Sequence, residues 1–120
     1  MTDSITHTHH AIDYVELTVT DMAAAQAFYA AAFGWSFTDY GPDYAGIQRL
    51  DRPGEAGGLA RGTPTPGGPL VVLFSEDLDA TVEAVEAAGG TIDTPPFAFP
   101  GGRRFHFADP SGNVLGVWAY

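Results

Sequence analysis

The chain has 120 residues, no cysteine and a formal net charge of −10 from fifteen acidic and five basic side chains. That length fits one domain, the missing cysteine excludes a disulfide framework and thiolate chemistry, and the negative surface repels nucleic-acid phosphates and anionic lipid. No apolar run approaches the ~20 residues needed to span a bilayer, and the opening MTDSITHTHH lacks the apolar core of a secretory signal. The expectation is a cytoplasmic protein with no nucleic-acid and no membrane partner.

Residues 1–10 read as a flexible polar arm in which His7, His9 and His10 would bind metal only adventitiously. Val15, Leu17 and Val19 then alternate with Tyr14, Glu16 and Thr18, the period of a half-buried strand. Asp21 stands where a helix N-cap belongs. Met22, Ala25, Phe28, Tyr29, Ala32 and Phe33 form a 3.6-period apolar stripe that Gly34 ends. Strands are predicted near Trp35–Tyr40, Tyr44–Leu50 and Gly57–Arg61, with turns at Gly41-Pro42 and Pro53-Gly54. The segment GTPTPGGP, Gly62 to Pro69, is a linker. Beyond it come a strand near Leu70–Ser75 and a helix from Asp77 that closes at Gly89-Gly90. Strands near Thr91–Ala98, Arg103–Ala108 and Asn113–Ala119 follow, and Asp109 in the DPSGN turn reads as a turn residue.

The second half repeats the first. A shift of 56 positions brings Asp21 onto Asp77, Met22 onto Leu78, Ala24 onto Ala80 and Gly34 onto Gly90. DRPGEAGGL from Asp51 matches DPSGNVLGV from Asp109 at a shift of 58. Two copies are too few for a solenoid. They predict an α+β fold of two βαβββ modules in pseudo-twofold repeat, with a cleft between them. Module one spans about 11–62 and module two about 68–120 of a single domain, 11–120.

The segments VELTVTDMAAAQAFYAAAFGW and DPSGNVLGVW, at these places in such a repeat, resemble the vicinal oxygen chelate superfamily, which includes glyoxalase I and bleomycin resistance proteins. The resemblance implies curved mixed sheets that enclose a small-molecule cleft, with the helices outside, and, in many members, a homodimer. In metal-dependent relatives four ligands come from the first and last strands of the modules. The corresponding positions here are Tyr14, Gly58, Leu70 and Gly116. Two have no side chain and one is aliphatic, whereas a divalent cation needs several nitrogen or oxygen side chains. The expectation is therefore no metal and no other cofactor.

Alternation assigns Val15, Leu17, Val19, Val71, Leu73, Leu115 and Val117 to the helix-covered face. Tyr14, Glu16, Thr18, Leu70, Val72, Phe74, Val114, Gly116 and Trp118 take the opposite one. Arg104 and His106 join them if Phe105 and Phe107 pack on the helix. The candidate ligand-binding set is thus Tyr14, Glu16, Gly58, Leu70, Val72, Phe74, Arg104, His106, Gly116 and Trp118. Glu16 and His106 form a candidate general acid/base pair, since imidazole titrates near neutrality. Tyr14, Glu16, Phe74, His106 and Trp118 are expected to line one cavity. Gln48 lies on a strand of unassigned phase. The sequence contains no phosphate-binding glycine loop or nucleophile elbow. The leading expectation is a metal-independent protein that binds an apolar or aromatic metabolite or antibiotic. The alternatives are a metal-free acid/base enzyme using Glu16 and His106, and a metal-dependent lyase, epimerase or dioxygenase.

Overall fold

The computed structural model describes residues 7–120; the first six residues of the predicted arm lie outside it. Strand β1 (Val15–Val19) leads through the Asp21 N-cap into α1 (Met22–Phe33). The Asp21 carboxylate accepts the Ala24 N–H at 3.0 Å, a cap that contributes about 1 kcal/mol. Gly34 closes the helix at φ 73°, the left-handed conformation that glycine adopts without a Cβ penalty. Strands β2 (Phe37–Asp39), β3 (Tyr44–Gln48) and β4 (Glu55–Arg61) complete the first module. The second has β5 (Val72–Phe74), α2 (Leu78–Ala87) capped by Asp77, then β6 (Thr91–Phe99), β7 (Gly102–Ala108) and β8 (Val114–Ala119).

The strand orders are β1-β4-β3-β2 and β5-β8-β7-β6, each with one parallel pair, β1 with β4 and β5 with β8. The repeat extends to register. One rung of the first sheet runs Glu16, Gly58, Gly46, Thr38. Its counterpart in the second runs Val72, Gly116, His106, Thr94.

Several of the predicted strands are shorter than expected; β3 ends at Gln48, two residues before Leu50. Trp35 falls outside β2 because its backbone N–H donates to the Tyr29 carbonyl at the end of α1, and its ring stacks on Tyr29, at 4.6 Å between centroids and 10° between planes. Leu70 and Val71 precede β5, although the Val71 carbonyl still accepts the Gly116 N–H. Among the described residues no helix is long and apolar enough to cross a membrane.

The core explains how the modules sit. Ala25 of α1 packs with Val19, Ile47 and Leu59 of the first sheet. Phe28 and Tyr29, on the same helix, pack with Leu78 and Val85 of α2 and with Phe105, Phe107, Leu115 and Val117 of the second sheet. The apolar stripe of α1 thus serves both sheets, and the helices form one shared layer. Asp109 fixes the junction. It is 5% exposed and accepts the Tyr29 hydroxyl at 2.8 Å, the Ser111 and Asn113 backbone N–H groups at 2.9 Å each, and Asn113 Nδ2 at 3.1 Å. Asn113 also donates to the Thr18 carbonyl, and Ser111 Oγ accepts the Thr20 N–H. Because both sheets lean on one helical layer, they are not closed around a common cleft within one chain. Their opposite faces are open.

Candidate functional site

The open face of the first sheet is phenolic and acidic. Tyr44 Oη donates to Glu16 Oε2 at 2.9 Å, and the Tyr14 and Tyr44 hydroxyls are 2.5 Å apart. A phenol has one proton. Tyr44 commits its own to Glu16, so Tyr14 donates to Tyr44. Nearby, Tyr40 donates to Glu55 Oε2 at 2.6 Å. Glycines make the room. A Cβ on Gly58 would collide with Tyr44 Oη and lie 2.6 Å from Tyr14 Oη, and one on Gly46 would collide with the Glu55 carboxylate. Burial, then the bonds to Tyr14 and Glu16, push the Tyr44 phenol well above the ordinary tyrosine range. Tyr40 is raised chiefly by its bond to Glu55. Both stay protonated donors at neutral pH.

The open face of the second sheet is aromatic and basic. One rung runs Phe74, Trp118, Arg104, Phe97. Trp118 meets Phe74 and Tyr120 edge-on at 5.1 Å each, and Arg104 lies 5.9 Å from the centroids of Phe97 and Phe99, within cation–π range. A cavity of about 400 Å³ opens between Val72, Phe99, Arg104, Trp118 and Tyr120. That is a volume suited to a small organic ligand. Phe105 and Phe107 are fully buried, so Arg104 and His106 take the open side.

His106 Nε2 lies 2.9 Å from Arg104 Nη2 and 3.2 Å from Nε. Arginine is donor-only, so this nitrogen holds a lone pair. Burial first, and the Arg104 charge second, move His106 below its ordinary value, with Asp93 opposing weakly. The folded chain therefore binds fewer protons here than the unfolded chain. This contribution is complete above the unfolded value near 6.5 and is lost as pH falls through the folded one. Urea unfolding at pH 7.5 and 5.5 should show wild-type stability dropping on acidification more than that of His106→Gln. An equal drop in both would contradict the assignment.

The structure gathers the sequence candidates into two groups. Tyr14, Glu16 and Gly58 meet on the first sheet. Val72, Phe74, Arg104, His106, Gly116 and Trp118 belong to strands of the second, and Leu70 is exposed two residues ahead of β5. Of the five residues expected to line one cavity, Trp118 borders this one, whereas Tyr14, Glu16, Phe74 and His106 do not. No hydrogen bond joins Glu16 to His106; each is held in its own network. Sequence reasoning missed Tyr40, Tyr44 and Glu55. Alternation from Gly46 places Tyr44 on the open face once the rung with Glu16 is known. It also missed Phe97 and Phe99, whose alternation is broken by Pro95-Pro96 and an irregular register with β7.

The four positions matched to metal ligands do not fit a cation. Only Tyr14 carries a donor, and its hydroxyl is engaged with Tyr44. Side chains at Gly58 would displace two tyrosines, and a Cβ at Gly116 would already stand 3.2 Å from His106. Among the described residues no three His, Cys, Asp or Glu side chains converge.

A family model described as Glyoxalase/Bleomycin resistance protein/Dioxygenase superfamily matches residues 11–117. The chain belongs to this superfamily. Among its relatives are "Putative glyoxylase CFP32" of Mycobacterium bovis, 32% identical over 117 residues, and the anthracycline biosynthesis protein DnrV of Streptomyces peucetius, 32% identical over 124. Each alignment covers 88% of this chain but only 44% and 45% of the relative, so the chain spans less than half the length of these proteins. Proteins of known structure share the fold. An enzyme from Burkholderia phytofirmans PsJN superimposes with a TM-score of 0.76 at 20% identity, over 90% of this chain and 97% of that one. TnmS3, an antibiotic binding protein from Streptomyces sp. CB03234, does so with 0.67 at 24% identity over 98% of both.

Proposed function

We propose that this member of the superfamily is a metal-independent binding protein for a flat aromatic metabolite or antibiotic, held in clefts that a second copy completes. The observation that carries the proposal is the donor set. Tyr14, Gly58, Leu70 and Gly116 offer one phenol between them, and the glycine positions are crowded by Tyr44 and His106 rather than left open. In place of a metal there is an aromatic wall with one guanidinium. The antibiotic-binding neighbour and the anthracycline-biosynthesis relatives support an aromatic ligand.

Apolar surface that a monomer leaves uncovered supports a homodimer. Val72 and Phe74 are 40% and 51% exposed, beside Leu70, Val114 and Tyr120. Contiguous apolar surface of this kind marks an interaction site. The relatives, about twice as long, have chain enough for two such units. In the dimer the phenolic face of one copy meets the aromatic face of the other. Acid/base catalysis by Glu16 and His106 is disfavoured, because Arg104 occupies the imidazole lone pair that a general base needs.

Complementation tests the arrangement. Glu16→Trp and Val72→Trp each place bulk on an exposed position of one face, so either variant alone should be a dimer that binds no ligand. Co-expressed, they should regain about half the sites per heterodimer, since one cleft then has two intact faces. Sedimentation as a monomer at micromolar concentration, or no recovery in the mixed dimer, would overturn the shared cleft.

A further inference from the structure

We infer that the chain carries a second small-molecule site, on the helix side of the sheets, for a small monocarboxylate with an apolar body. A cavity of about 260 Å³ lies where the two modules meet. Val15 and Leu17 of β1 line it from one module, and Val71 and Leu73 from the other, with Trp35 and Ile47 as further wall. By alternation these strand residues face away from Glu16, Val72 and Phe74. The cavity shares no residue with the one at Trp118.

The space persists for local reasons. β1 and β5 are the edge strands of separate sheets, and β5 is only three residues long. Trp35, the one side chain large enough to fill the gap, is held by its stack on Tyr29. The volume falls just under the ~300–1,000 Å³ of drug-sized pockets. A short alkyl chain or a single ring suits it.

The mouth supplies the charge. Four of the five basic residues are occupied: Arg52 with Asp51, Arg61 with Asp43, Arg103 with Asp79, and Arg104 with His106. The fifth, Arg49, borders this cavity, is half-buried, and has no carboxylate within ion-pair distance among the described residues. In a chain with fifteen acidic side chains, that is a cation left without its usual partner. Its backbone N–H donates to the Gly54 carbonyl at 2.8 Å, so the turn that presents it is fixed. Asp51 also borders the mouth but is engaged by Arg52. An arginine bordering an apolar hollow matches a carboxylate that carries a hydrophobic tail.

Trp35 is a built-in reporter, because the only other tryptophan is Trp118. In a Trp118→Phe background, octanoate should change Trp35 emission saturably at one site per chain. It should bind about tenfold more tightly than 1-octanol or octylamine. Arg49→Met should erase the preference for octanoate over 1-octanol while 1-octanol binding persists. Ala56→Leu, which fills the cavity from its wall and keeps the Arg49 side chain, should weaken octanoate binding about tenfold or more, with circular dichroism confirming the fold of both variants. No saturable response to octanoate, an unchanged preference in Arg49→Met, or unchanged affinity in Ala56→Leu would overturn the site.

Discussion

Replacing Asp109 with alanine should destabilise the chain by at least ~3 kcal/mol, which no exposed substitution would match. The carboxylate is buried and accepts four hydrogen bonds, from Tyr29, from two backbone N–H groups and from the Asn113 amide. Alanine leaves the Tyr29 hydroxyl without an acceptor in a fully buried position. It also releases the 109–113 loop, through which Asn113 and Ser111 grip the Thr18–Thr20 backbone of the other module. The effect is therefore local and inter-modular together. Tyr29→Phe removes one of the four bonds and should cost about 1–3 kcal/mol. The Tyr29 phenol, raised by burial and then by the Asp109 charge, stays a donor throughout the physiological range. Urea titrations followed by circular dichroism measure both. An Asp109→Ala variant within 1 kcal/mol of wild type would mean that the loop is an ordinary turn.

Trp118→Ala should weaken binding of a flat aromatic ligand by about 1–3 kcal/mol, or roughly 5- to 150-fold. Trp118 is half-buried at the centre of the second sheet's open face, between Phe74, Phe99 and Tyr120. It borders the 400 Å³ cavity and pairs across the strands with Arg104. Its neighbours on β8, Val117 and Ala119, are the ones that pack into the core, so truncation removes ligand-facing area and leaves the core intact. Chemical denaturation of the variant should accordingly differ little from wild type. Ligand affinity unchanged by the substitution would move the site elsewhere on the chain.

Much of the architecture is legible in the sequence because it is periodic or punctuated. The 56-residue offset, the Asp21 and Asp77 caps and the alternation through Val15–Val19 each have a local cause, and each appears in the structure. Asp109 shows the limit. Its turn chemistry is local and readable, but the hydroxyl it accepts belongs to Tyr29, eighty positions away, and no pattern in either segment announces the other. The placement of the modules is hidden for the same reason. The stripe on α1 is wide, and only the tertiary structure tells that Ala25 serves one sheet while Phe28 and Tyr29 serve the other. One consequence is that the cleft residues read as a single set from the sequence lie on two faces of the chain. Tyr44 was missed because its role depends on the register that sets Glu16 and Gly46 opposite Gly58.

The most direct measurement of the central claim is a titration of an anthracycline into metal-stripped protein, followed by tryptophan fluorescence, with and without added zinc, nickel or manganese. Metal-independent binding predicts saturation at one ligand per chain, the same affinity with and without the added metal, and ligand recovered unchanged. Affinity that appears only when a divalent cation is restored, or conversion of the ligand that depends on that cation, would contradict it.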